Sequence, residues 1–176
     1  MKKTIILIML FINSFIASSG AQYSKTASCQ DPAFDKKVDS YLSYSVPVLG
    51  VQEAFDKRAE LTFLDAREFD EYSVSHIPGS RYVGYDKFKI ETIKDIPRDK
   101  KIVVYCSIGY RSEIVATKLK NAGYKNIYNL YGSLFEWANE GHDMADKNGK
   151  STQKVHTFNK KWSEWVLNPA LVKVWK

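Results

Sequence analysis

The sequence predicts an α/β domain: a small parallel sheet with helices on both faces, followed by a C-terminal hairpin-and-helix extension. From Val51 onward, helical spacing alternates with short apolar runs, and runs such as Ile102-Val103-Val104-Tyr105 are continuous. An unbroken apolar strand is buried on both faces, and strands alternating with helices give a covered parallel sheet. The 176 residues, 44% hydrophobic and 14% aromatic, suit one ordinary core and are too apolar for disorder. Two cysteines exclude a disulfide scaffold and a Cys-rich four-ligand zinc site.

Residues 1–21 read as a cleavable export signal. Lys2 and Lys3 precede the apolar run Ile5 to Ile12, and Ser19 and Ala21 put small residues where a signal peptidase cuts. Asn13 and Ser14 interrupt the run and no basic cluster follows, so no retained membrane anchor is expected. The expectation is an exported chain, periplasmic or secreted, beginning at Gln22. Residues 22–45, polar and rich in Ser and Tyr, read as a mobile leader with a short helix near Phe34 to Leu42 and Cys29 as a bystander.

Val51, Ala54 and Phe55 fall at helical spacing, and Leu61 to Leu64 form the first buried strand. A charged helix over Arg67 to Tyr72, a turn at His76-Ile77-Pro78-Gly79 and a brief strand over Arg81 to Gly84 follow. Val115, Leu119 and Ala122 place a helix over Ser112 to Ala122, with Lys118 and Lys120 in its last turn and Gly123 at its cap. A strand over Asn126 to Tyr131 and a helix over Leu134 to Asn139 complete a domain spanning 46–142. In the extension, 143–176, Asn148-Gly149 marks a tight hairpin flanked by weak strands ending at Val155 to Phe158, and a helix is expected from Lys160 to Leu167. Trp162, Trp165 and Trp175 are expected to lock this tail onto the domain, the alternative being an exposed patch for a partner.

The formal charge of +6 includes Lys2 and Lys3 and could attract small anions. Basic residues are scattered, with no cluster beyond pairs such as Lys36-Lys37, Lys100-Lys101 and Lys160-Lys161, so no nucleic-acid partner is expected.

Cys106 follows directly on the apolar strand 102–105, and Ser107-Ile108-Gly109-Tyr110-Arg111 leads into the helix near Ser112. Backbone N–H groups of a tight loop at a helix N-terminus converge with partial positive charge. A thiol there is held as thiolate, the attacking form, and the same cradle suits an anionic substrate or an anionic sulfur adduct. Gly109 permits the positive φ or close approach such a loop requires, and Arg111 adds a fixed cation. A cysteine after a buried strand is by itself a small hydrophobe; the ordered set of Cys, Gly, Arg, Ser and helix points to chemistry.

These residues resemble the rhodanese family of sulfurtransferases. Cys106-Ser107-Ile108-Gly109-Tyr110-Arg111-Ser112 matches the family's active-site loop, and Leu64-Asp65-Ala66-Arg67 its Asp-x-Arg strand end. Glu71-Tyr72 and His76-Ile77-Pro78-Gly79 match its glutamate helix and turn. Gly123-Tyr124, Leu130-Tyr131-Gly132-Ser133 and Trp137 match its closing strand and helix. Ser75 and Ser80 depart from it, standing where the family often has Gly and Ala. The resemblance spans 46–142 and implies a persulfide mechanism without metal or organic cofactor. Cys106 would take the outer sulfur of a small anionic donor such as thiosulfate, and a thiol or cyanide acceptor would remove it. The amides of 107–111 would hold the terminal sulfur, while Arg111 would either hold the donor or form a structural ion pair with Glu113 or another carboxylate. Asp65 and Arg67 read as supports at the strand end, and His76 as a turn histidine bonded to backbone. His142 and His156 read as surface residues.

Rival readings differ in class. A cysteine phosphatase or arsenate reductase resembles this fold but has a loop one residue longer between Cys and Arg; the shorter loop suits a sulfur atom better than a tetrahedral phosphate. A noncatalytic binding module would leave the thiol incidental. A redox role would pair Cys106 with Cys29.

Overall fold

The computed structural model describes residues 22–175, so the export signal expected over 1–21 lies outside the described residues. Strands β1 (Val48–Leu49), β2 (Thr62–Asp65), β3 (Arg81–Tyr82), β4 (Lys101–Tyr105) and β5 (Asn126–Leu130) form one parallel sheet in the order β1-β5-β4-β2-β3. Central β4 sets Val104 beside Leu64 on one side and Asn129 on the other.

Side chains of β4 alternate between two cores. Ile102 and Val104 pack with Val115, Ala116 and Leu119 of α4 (Tyr110–Asn121). Val103 and Tyr105 pack on the opposite face, with α1 (Pro32–Asp39), α2 (Val51–Asp56) and α5 (Ser133–Asn139). Helices thus cover both faces, which is why β4 runs apolar and buried from Ile102 to Tyr105 after the exposed Lys101. Each fully buried Val or Ile contributes roughly 1.5–3 kcal/mol. Among the described residues no helix is long and apolar enough to cross a membrane.

Local chemistry moves several boundaries. Glu68 and Glu71 form a reciprocal capping box, so α3 (Phe69–Val74) begins two residues after the expected start, and Arg67 is left free to pair with Asp65. Helix α4 begins at Tyr110, earlier than Ser112, because the Gly109 carbonyl already accepts from the Glu113 N–H at 3.0 Å. It ends where Tyr124 N–H reaches back to Leu119 and Gly123 N–H to Lys120, with Gly123 at φ 90°.

Residues 22–45 are not a mobile leader. Asp31 caps α1 by accepting from Phe34 N–H at 2.7 Å, and Pro32 suits the helix's first turn. Phe34 and Val38 are fully buried, and Phe34 stacks between Phe135 and Trp165 at ring distances of 6.5 and 5.8 Å. Cys29 is buried with them, in place of the expected bystander.

The extension also differs from its sequence pattern. Asn148-Gly149 forms its turn, with the Asp146 carboxylate accepting from the Asn148 and Lys150 amides, but only single bridges flank it. Strand β6 (Lys154–His156) instead pairs in parallel with β7 (Val172–Val174). The helix expected over 160–167 contracts to a 3-10 turn, Trp162–Trp165, whose spacing sets both rings against α1 and the chain just after it. Trp162 and Trp165 pack, whereas Trp175 is exposed.

Candidate active site

Cys106 follows β4 at the C-terminal edge of the sheet, where helix N-termini and strand ends meet. Its backbone is held from two sides. Cys106 N–H donates to Ser133 Oγ at 3.1 Å, while Leu134 and Phe135 amides, opening α5, donate to the carbonyls of Cys106 and Ser107. The side chain faces the N-terminus of α4. Gly109 N–H donates to Sγ at 3.2 Å, with φ 120° at Gly109 aiming that amide inward. Ser112 Oγ lies 3.5 Å from Sγ but 2.7 Å from Asn129 Oδ1 and 3.1 Å from the Gly109 carbonyl. One hydroxyl proton serves three acceptors, so Ser112 fixes the loop as much as it solvates the sulfur. Asn129 Nδ2 donates to the same Gly109 carbonyl at 3.0 Å.

Burial pushes the Cys106 thiol up, but the Arg111 charge, then Ser112 and the Gly109 amide, outweigh it and bring the thiol below its ordinary value. Arg111 itself is bound to Glu71, not to Glu113. Nη1 and Nη2 donate to the two Glu71 oxygens at 2.6 and 2.8 Å, and Ser107 Oγ bridges the pair. Burial acts to raise Glu71, and its bonds to Arg111 hold it below the usual carboxylate range. Glu113 instead accepts from the Ser43 and Ser45 amides, tying the N-terminal segment to α4.

Asp65, Arg67 and His76 stand behind the site. The Asp65–Arg67 pair is fully buried, and Arg67 Nη2 also donates to the Ser75 carbonyl at 2.5 Å, clamping the end of β2 to the end of α3, the helix that carries Glu71. His76 Nδ1 lies 3.0 Å from the Tyr72 carbonyl, its ring stacks on Tyr72, and its backbone exchanges hydrogen bonds with Ala145. The other histidines are half-buried, not surface groups: His142 stacks on Phe55 and bonds Glu140, and His156 lies on β6.

A cavity of about 280 Å³ opens over the sulfur, lined by Cys106, Ser107, Ile108, Tyr110 and Arg111 of the loop and by Tyr41, Tyr85, Phe158 and Trp162 from elsewhere. Sequence reasoning missed the four latter residues, together with Asn129 and Ser133. The tryptophan-rich tail carried a signal for burial, but nothing in it said that Trp162 would face the thiol.

Comparison with known proteins gives the family of this fold. Residues 51–140 match the rhodanese-like domain family. The tRNA uridine(34) hydroxylase of Escherichia coli is 30% identical over 121 residues, covering 65% of this chain and 33% of that protein. The adenylyltransferase and sulfurtransferase uba4 of Ogataea parapolymorpha is 30% identical over 77 residues, 44% of this chain and 20% of that protein. The chain therefore spans about a third and a fifth of these relatives' lengths. Among solved structures, a rhodanese-related protein from Thermoplasma volcanium aligns with a TM-score of 0.53 at 26% identity, covering 57% of this chain and 98% of that one. A thiosulfate sulfurtransferase from Pseudomonas aeruginosa aligns with a TM-score of 0.52 at 25% identity, covering 69% and 23%. Matched over half of its length, the chain belongs to the rhodanese-like domain family.

Proposed function

We propose that the protein moves a sulfane sulfur through a persulfide on Cys106. The observation that carries this reading is the thiol's setting: buried at the base of a cavity, bonded by the Gly109 amide and lowered by the Arg111 charge. In the first half-reaction the Cys106 thiolate attacks the outer sulfur of a donor such as thiosulfate. The new S–S bond forms as the old one breaks, and sulfite leaves with the electron pair. In the second, an acceptor nucleophile, cyanide or a thiolate, takes the terminal sulfur and returns the Cys106 thiolate. The anionic persulfide fits a site built for an anionic sulfur, beside the α4 N-terminus. The relatives' names include a hydroxylase as well as a sulfurtransferase. The activated thiol favours sulfur transfer.

Intact mass after incubation with thiosulfate tests the reading. A gain of one sulfur, about 32 Da, reversed by cyanide and absent in Cys106→Ser, is expected of a nucleophilic thiol. A free, titratable Cys106 that gains no sulfur from thiosulfate or from an organic persulfide would sink it. Export belongs to the same proposal and rests on the pattern of residues 1–21. The spectrum of protein from its native host reads that too: a mature chain starting at Gln22 is expected, and an intact Met1 chain in the cytoplasm overturns it.

A further inference from the structure

The wall of the cavity departs from what an inorganic dianion needs. Thiosulfate is held best by cations with donors to spare, but the Arg111 guanidinium already donates to both oxygens of Glu71 and to Ser107 Oγ, which leaves few donors for a dianion. Around the sulfur stand rings. Tyr41 meets Tyr110 edge-on at 6.2 Å and Trp162 at 5.5 Å, so three of them brace one another. Lys37 lies over the Tyr41 and Trp162 rings at 5.3 and 5.7 Å, fixing the pair further.

Phe158 completes the mouth. It is exposed yet sits at φ 63°, a costly backbone for a bulky residue, and the Asn159 N–H donates to the Thr157 carbonyl at 2.6 Å, closing a three-residue turn around it. Its ring lies 5.6 Å from the Arg111 guanidinium carbon. Backbone strain of this kind clusters at ligand-binding sites, and here it sets an exposed apolar ring at the rim of the cavity. Tyr41, Phe158 and Trp162 all lie outside the matched residues 51–140, so this wall is an addition to the family domain.

We propose that the cavity selects a sulfur donor whose carrier is organic and apolar, seating that carrier among Tyr41, Tyr110, Phe158 and Trp162 while its outer sulfur meets Cys106. The inference rests on the sulfur-transfer reading above and specifies its substrate class. For a thiosulfonate R–SO2–S⁻ the step balances as before: the Cys106 thiolate bonds the outer sulfur, the S–S bond of the donor breaks, and the sulfinate R–SO2⁻ departs with the electron pair. An aryl or branched alkyl R fits within a space of about 280 Å³ and meets its ring-lined wall.

Benzenethiosulfonate and methanethiosulfonate share the reacting group and differ only in R. With cyanide as acceptor, the ratio of their kcat/KM values is compared with the ratio of their rates toward free cysteine. The enzyme is expected to favour the benzene compound by ~10-fold or more beyond the free-thiol ratio, as expected when a pocket recognises added apolar bulk. Tyr41→Ala, at a partly exposed side chain, and Trp162→Leu, which keeps apolar bulk, should each pull the ratio back toward the free-thiol value. A general loss of folding would lower both donors together and leave the ratio in place. A wild-type ratio equal to that of free cysteine overturns the proposal while leaving sulfur transfer intact, as does a raised ratio that neither substitution moves. No persulfide from either donor or from thiosulfate overturns the sulfur-transfer reading itself.

Discussion

Cys106 and Cys29 are both buried, at 1% and 7% exposure, and both are free thiols. Burial acts on the two alike, pushing each up. Around Cys106 the next influences are the Arg111 charge and hydrogen bonds from Ser112 and Gly109, and the thiol falls below its ordinary value. Around Cys29 the next influences are the Glu136 and Asp35 carboxylates, with Lys25 a weaker opposing charge, and the thiol is driven far up. Depth in the fold therefore says nothing about which thiol is the nucleophile. The sign of the nearest charge decides it.

The largest effect expected from this contrast is in labelling. With iodoacetamide at pH 7, peptide mapping should show Cys106 modified at least ~100-fold faster than Cys29, since the thiolate is the reacting form. The Cys106 rate should climb with pH to a plateau whose midpoint lies below the ordinary 9.0, because a lowered value means the thiolate is present above it and lost as pH falls through it. Comparable labelling of the two thiols at pH 7 would break the comparison.

Arg111→Met should move that midpoint upward and cut sulfur uptake. It also strands the Glu71 carboxylate, whose side chain is only 4% exposed, so a loss of about 3 kcal/mol in chemical denaturation is expected. The double variant Arg111→Met with Glu71→Gln should regain much of that stability while its Cys106 midpoint stays high. If the double variant instead recovers the low midpoint, the Arg111 charge is not what activates the thiol.

On the Cys29 side, burial raises Glu136 to about 7. A carboxyl raised on folding adds stability that is whole below its unfolded value of 4.5 and is lost as pH rises through about 7. Between pH 5 and 8 the wild type should thus lose ~2 kcal/mol relative to Glu136→Gln, at about 1.4 kcal/mol per pKa unit. Urea melts at several pH values read this directly, and a difference that stays flat with pH would refute it.

Much of the sheet and the thiol loop was legible because both are local in sequence. Four apolar residues in a row specify a doubly buried strand, and Cys, Gly, Arg and Ser at fixed spacing specify a loop. The partner of Arg111 was not readable in this way. Glu71 and Glu113 are both carboxylates at plausible places, and only the capping box that shifts α3 brings the former to the guanidinium. The N-terminal segment was misread because its burial depends on a few residues, Cys29, Phe34 and Val38, set among Ser, Lys and Asp. In the tail the turn and the packing of Trp162 and Trp165 were legible, but the hairpin strands and the helix were not, because periodicity reports which residues want a partner, not which segment supplies it: β6 found β7, and Trp162 found Tyr41.

The docking of α1 has a consequence in time. The Gln30 amide meets Glu136 across 106 positions, and Phe34 waits for Phe135 and Trp165. Loop-closure entropy must be met before such distant contacts give any return, so chains rich in them fold slowly. The parallel sheet can assemble from residues 48–130 while α1, synthesised before any strand, still holds Phe34 in water. Helix α1, first in chain order among the described helices, is thus expected to be among the last to settle, and until the tail arrives the cavity over Cys106 lacks its outer wall.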